Sequence, residues 1–185
     1  MPLPDRIEGL AIVSADGMIA DAHGVQPDAL KLEADQRFFY DALDKADGLA
    51  HGRHSGEGGS NAALRRRLIL TRRIERLAAD PENGKAVLWN PAGAPLDEAW
   101  ARLGLTGGTL SIIGGTEVFG LFLERGYDTF HLSRAAHAKL PGGLPVFPGV
   151  PEVTPEQLLA AHGLKPDAMR VLDAEAGLSL VTWRR

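Results

Sequence analysis

Hydrophobic positions along this chain switch between two spacings, and the switching lays out the elements. Residues 7–13 form an apolar, partly β-branched run that ends at the turn-prone Ser14-Ala15-Asp16-Gly17, which predicts a buried strand. A stretch of mixed character through Pro27 leads to residues 30–45. There Leu32, Phe38, Phe39 and Leu43 recur at helical spacing and predict a helix with one apolar face. Residues 48–51 read as a short strand, Gly52-Arg53-His54-Ser55 as the turn after it, and 56–61 as a flexible glycine-rich loop. Strands are predicted at 67–71 and 86–89, and a short helix at 96–103. Ser111-Ile112-Ile113 then predicts another buried strand, and beyond Gly114-Gly115 the residues Val118, Phe119, Phe122 and Leu123 share one helix face. A strand at 127–133, a helix at 155–162 and a hairpin of 169–173 with 178–183 close the chain.

Strands and helices that alternate and end in a hairpin imply an α/β fold. Its central sheet is mostly parallel, with helices on both faces and an antiparallel C-terminal hairpin. At 185 residues and 44% hydrophobic composition, residues 1–185 fit a single domain with a sizeable core. No repeat or interdomain linker interrupts it. The net charge of −4 provides no basic field for nucleic acid or an anionic membrane surface. The absence of cysteine excludes disulfides, thiolate metal sites and a cysteine nucleophile. The first residues lack the basic start and apolar centre of a signal peptide, and no apolar run approaches the roughly 20 residues of a membrane span. The expected location is the cytoplasm.

Three turns after predicted strands carry groups that suit phosphate. At Gly114-Gly115 a strand passes into a helix, so free backbone N–H groups and the positive helix end face whatever sits above; a corner that binds nothing is the simpler reading. Gly52-Arg53-His54-Ser55 adds a guanidinium and a hydroxyl. Thr71-Arg72-Arg73 adds two guanidinium groups suited to a 2′-phosphate, or else a solvated basic loop. On the helix at 30–45, Asp35 precedes Phe38 and Phe39 by three and four residues and shares their apolar face. A carboxyl there is pushed upward in pKa by burial and can hold a protonatable ring; an ordinary surface aspartate is the alternative. No metal-ligand spacing, serine elbow or Walker loop is present.

Taken together, Ser14-Ala15-Asp16-Gly17-Met18-Ile19-Ala20, Asp35 with Phe38-Phe39, Gly52-Arg53-His54-Ser55, Ile112-Ile113-Gly114-Gly115-Thr116-Glu117-Val118-Phe119 and Phe147-Pro148 resemble the dihydrofolate reductase superfamily. The first motif looks most like the branch containing the C-terminal reductase domain of the bifunctional riboflavin-biosynthesis protein. The resemblance implies a dihydrofolate reductase-like three-layer sandwich, and NADPH bound across the strand ends. In this family the two glycines are often joined by a cis peptide. Gly114, Gly115 and Thr116 would meet the cofactor's diphosphate, with Glu117 and Val118 also in the cofactor site. Gly52, Arg53, His54 and Ser55 would meet its phosphates, with Thr71 and Arg72 at the 2′-phosphate. Ala11 and Ile12 would lie by the nicotinamide, and Ile19 and Ala20 on the loop covering it. Asp35 would be the catalytic carboxylate, with Phe39 packed on the substrate ring and Ser133 supporting the carboxylate. Arg65 would hold an anionic tail.

There are departures: Glu117 stands where many dihydrofolate reductases have arginine, Leu144 where an acidic residue is common, and the Pro-Trp pair after the first loop is missing. The resemblance therefore implies an NADPH-dependent reductase of a pteridine or pyrimidine-type heterocycle, or its ring-opened relative. A ribose phosphate on that substrate would have Arg65, Arg66 or Arg67 to meet it. Dihydrofolate reductase proper, a dinucleotide-binding module without turnover and a plain α/β interaction domain stay open. No metal is implied. Homodimers are common among riboflavin-type relatives.

Overall fold

The first apolar run builds the middle of the protein. In the computed structural model of the chain, which describes residues 2–185, it forms β1 (Arg6–Ser14). There follow β2 (Met18–Ala20), α1 (Glu33–Lys45), β3 (Gly48–Gly52), β4 (Arg67–Leu70), β5 (Leu77–Ala79), β6 (Ala86–Trp89), α2 (Leu96–Arg102) and β7 (Thr109–Ile112). The second half contains α3 (Thr116–Arg125), β8 (Thr129–Ala135), β9 (Leu144–Pro145), α4 (Pro155–Ala161), β10 (Lys165–Pro166), β11 (Arg170–Asp173) and β12 (Leu178–Arg184).

One ten-stranded sheet runs β10-β12-β8-β1-β7-β3-β4-β6-β5, with β11 also paired to β12. From β8 to β6 every pairing is parallel. β12 adds antiparallel to β8 and carries β10 and β11 antiparallel in turn, and β5 adds antiparallel to the other edge. Side chains alternate between the two faces of β1, as the period of a strand requires. Leu10 packs with Leu43 and Leu49 toward the α1 side, whereas Val13 joins the large cluster of Trp100, Phe119, Phe122, Phe130 and Phe147 on the opposite face. The α/β sandwich with a closing hairpin is the one the pattern predicts. Among the described residues, no helix is long and apolar enough to cross a membrane.

Two local differences matter for the site. The first helix starts at Glu33, not at residue 30, because Leu32 is extended and a separate 3-10 turn, Asp28–Leu30, precedes it. In addition, β2 pairs with β9, tying the loop after β1 to the late loop before Phe147. Both strands are too short to show a hydrophobic period.

Candidate functional site

Because β1, β7, β3 and β4 are parallel, the turns that follow them line up on one edge of the sheet, where open α/β sheets bind ligands. A cavity of about 610 Å³ opens there, a volume suited to small molecules. Of the residues predicted for the site, its wall brings together Ala11, Ile12, Ile19, Ala20, Asp35, Phe39, His54, Ser55, Gly114, Gly115 and Ser133. Gly52, Arg53, Arg65, Thr71, Arg72, Thr116, Glu117 and Val118 lie off that wall. No lysine or arginine among the described residues lines it.

One end of the cavity is a backbone cradle. The Gly52 N–H donates to the Gly114 carbonyl at 2.9 Å and the Ile113 N–H to Ala50 at 3.1 Å, so the turns after β3 and β7 are joined. Gly114 has φ +127°, which side-chain-bearing residues rarely adopt, and the Gly114–Gly115 peptide is cis. A β-carbon on Gly115 would stand 3.1 Å from the Ser55 hydroxyl oxygen. Gly115 also caps α3, whose first N–H groups have no acceptor within the helix. Val118 packs near Gly52, where an added β-carbon would meet it at 3.7 Å. Backbone donors without β-carbons, the Ser55 hydroxyl and the nearby exposed Arg53 fit the diphosphate of a dinucleotide.

Around the cradle the predicted contacts are already partly engaged. The Thr116 hydroxyl donates to the Pro145 carbonyl at 2.5 Å, holding β9 against the start of α3. Thr71 is buried, and its hydroxyl accepts the Arg73 N–H at 3.2 Å. Arg72 pairs with Glu117 at 2.7 Å, both side chains largely exposed.

The other end is apolar around one acid. Asp35, in the first turn of α1, is 8% exposed and shares the cavity wall with Phe38, Phe39 and Ser133. Burial pushes its carboxyl up to about 6, against a smaller downward pull from the Ser133 hydroxyl. Such a group changes protonation near neutral pH, which suits it to hold or exchange a proton with a ring nitrogen.

Two further groups were missed from sequence. His131 lines the cavity two residues before Ser133, on the same face of β8. Its ring meets Phe38 edge-on at 5.3 Å, its Nδ1 lies 3.0 Å from the Thr182 hydroxyl, and its Nε2 lies 3.8 Å from Glu8. The alternation predicted for 127–133 contained the signal.

Glu57 is the second. It sits in the glycine-rich loop expected to be flexible, yet its side chain is only 2% exposed. Arg65 holds one carboxylate oxygen at 2.8 Å and Arg67 the other at 2.6 Å, and the Gly59 N–H adds a bond at 3.1 Å. Arg65 also donates to Asp44 at 2.6 Å, so its guanidinium is committed away from the cavity. Arg67 donates to Nε2 of His51 at 3.2 Å, and His51 Nδ1 donates to Gly52 at 2.7 Å. Since arginine only donates and a carbonyl only accepts, His51 is the neutral Nδ1–H tautomer. Its pKa is lowered, chiefly by burial. Glu57 would be raised by burial, but the Arg67 and Gly59 hydrogen bonds and the two guanidinium charges hold it below the usual carboxylate range. Among the described residues no cluster of acids and histidines could hold a metal ion.

No protein-family model and no curated protein matches the chain. Solved structures do. A Shewanella sp. PV-4 protein assigned to riboflavin biosynthesis is similar with a TM-score of 0.66 and 21% identity, over 97% of this chain and 98% of that one. A diaminohydroxyphosphoribosylaminopyrimidine deaminase/5-amino-6-(5-phosphoribosylamino)uracil reductase from Thermotoga maritima is similar with a TM-score of 0.65 and 17% identity over 98% of this chain, which spans 56% of that protein's length. Dihydrofolate reductase from Enterococcus faecalis, complexed with NADP(H) and RAB-propyl, is similar with a TM-score of 0.61 and 16% identity, over 100% of this chain and 99% of that one. The likeness covers nearly the whole chain while few residues are shared, so what it establishes is architecture: this chain has the dihydrofolate reductase-like fold.

Proposed function

We propose that the protein is an NADPH-dependent reductase of a pteridine or pyrimidine-type heterocycle, or its ring-opened relative. The observation that carries this reading is a buried Asp35 with a raised pKa, facing the same cavity as the Gly114-Gly115 cradle. An acid kept partly protonated near neutral pH at one end, and anion-binding backbone at the other, suit a proton and a hydride delivered to one ring.

Gly114, Gly115, Ser55 and the start of α3 at Thr116 would hold the diphosphate, with Gly52 and Val118 shaping the approach. Arg53 and His54 would stand beside it, and Thr71 and Arg72 would meet the 2′-phosphate once Glu117 gives way. When bound, the reduced nicotinamide supplies the hydride. Ala11 and Ile12, consecutive on β1, would border the nicotinamide, while Ile19 and Ala20 on the loop above would exclude water. Phe39 packs on the substrate ring, and Ser133 holds the Asp35 carboxyl in place. Asp35 stabilises the protonated ring nitrogen next to the carbon that is reduced.

The first test is binding of NADPH beside NADH, read by tryptophan quenching or calorimetry, with Gly115→Ala as control. The reading expects a preference for NADPH that weakens in the variant, followed by NADPH oxidation on a panel of pterins and aminopyrimidinones. Binding of neither dinucleotide sinks it. One observation favours a second reading, a dinucleotide-binding module without turnover: Arg72 is already neutralised by Glu117. Tight NADPH binding without oxidation across the panel would support that one.

A further inference from the structure

The half of the cavity around Asp35 is bounded by α1, β8 and the loop after β3. Charged groups on its wall are the carboxylates of Asp35 and Glu57; the rest of its titratable lining is tyrosine and histidine. The arginine to which the family resemblance assigns an anionic tail is Arg65, which lies off the wall. Its side chain is 8% exposed, and its guanidinium is bonded to Glu57 on one nitrogen and to Asp44 on another. Its Nε is buried without a partner, as is that of Arg67. Arg67 is similarly taken, by Glu57, by the Ala62 carbonyl at 2.8 Å and by His51. Tyr40, which also lines the cavity, lies over the Arg65 guanidinium at 5.9 Å, and the loop presses on it so closely that a β-carbon on Gly59 would come within 2.6 Å of its ring. Arg66 and Arg53 are exposed and off the wall.

An anion entering this half would shed its hydration and meet the Asp35 carboxyl and a Glu57 whose charge Arg65 and Arg67 already balance, with no free cation among the described residues of the wall in return. Specificity of this kind comes from what the site withholds as much as from what it offers. We propose that the cavity selects heterocycles without an anionic arm, neutral or protonatable rings lacking a glutamyl or phosphate tail, and that Glu57 enforces the choice by occupying Arg65 and Arg67. This rests on the cavity being the substrate site of the reductase reading. It excludes both a folate with its glutamate and a phosphorylated ribosylaminopyrimidine as the preferred substrate.

The test uses the full chain saturated with NADP+, which has no hydride to deliver, so that binding is read without turnover at about pH 7.5. Two pairs of ligands are titrated by calorimetry: one dihydropterin with a 6-methyl group against the same ring with a benzoylglutamate tail, and one ribosylaminopyrimidinone against its 5′-phosphate. The expected result is that in each pair that binds the tail-less member binds at least about tenfold tighter, and that Glu57→Gln narrows this ratio by freeing a guanidinium. Equal or tighter binding of the tailed members, or binding of none of the four, overturns the inference. So does a wild-type ratio that Glu57→Gln leaves unchanged in a variant whose circular dichroism and NADPH affinity match wild type. If the variant does not fold, Arg65→Met is the second arm: it removes the supposed tail receptor, and a loss of affinity specific to the tailed members overturns the inference. Absence of NADPH oxidation with a ring that does bind overturns the reductase reading alone.

Discussion

Asp35 and Glu57 stand on the wall of one cavity, both nearly removed from water, and their surroundings drive them in opposite directions. Asp35 has a single hydroxyl near it and no cation, so burial lifts its pKa to about 6. Glu57 is gripped by two guanidinium groups and a backbone N–H, and stays ionised below its usual range. The difference shows that burial alone does not decide what a carboxylate is for. A buried acid without a partner is unstable as an ion and is available for proton chemistry. One that is fully partnered ties chain segments together, here the loop at 53–61 to the start of β4 and, through Arg65, to Asp44 on α1.

The contrast can be broken most decisively at Asp35. Asp35→Asn is expected to lower kcat/KM for the ring substrate by about 100-fold or more. Wild-type kcat/KM should fall as pH rises through about 6, and the variant should lose that limb. A loss smaller than tenfold would remove Asp35 from the chemistry. Next in size is Glu57→Ala, which leaves two buried guanidinium groups short of their anion and should cost about 3–5 kcal/mol in denaturant unfolding. A cost near zero would mean that the loop is not held by this cluster.

A third prediction concerns stability and pH. The folded pKa of Asp35, about 6, lies above the ordinary 3.8. The folded protein therefore keeps a proton that the unfolded chain gives up, and stability falls as pH rises between these values and stays low above them. Asp35→Asn should accordingly stabilise the protein by up to about 3 kcal/mol at pH 8, with the gain fading toward pH 4. A gain that persists at pH 4 would mean that ionisation is not its source. The smallest effect is at the exposed Arg72–Glu117 pair. Glu117→Gln should change stability by less than about 1 kcal/mol, while tightening NADPH binding several-fold by freeing Arg72. Unchanged NADPH affinity would place the 2′-phosphate elsewhere.

Much of this was legible beforehand for physical reasons. The strands at 7–13, 48–51 and 111–113 are short, largely apolar runs bounded by glycine or turn residues, and local pattern suffices for such elements. Asp35 could be read because a helix fixes which residues share its face, so its neighbours Phe38 and Phe39 report its burial. Glu57 could not be read in that way. It lies among glycines with no local period, and its burial depends on arginines brought to it by the sheet. A weaker hint existed, since Arg65, extended two residues before the first strand residue Arg67, falls on the same side of the chain, where two like charges need an anion between them. The strands β2, β5, β9 and β10 escaped because two or three residues carry no period.

The small β2–β9 ladder has a mechanical consequence. Met18 and Ala20 pair with the segment whose Pro145 carbonyl takes the Thr116 hydroxyl, and Thr116 is the first residue of α3. The β2 segment on the cavity wall and the start of α3 beside the Gly114-Gly115 cradle are thus joined through the late loop. A ligand that orders the start of α3 is expected to order β2 as well, read as slowed amide hydrogen exchange at residues 18–20.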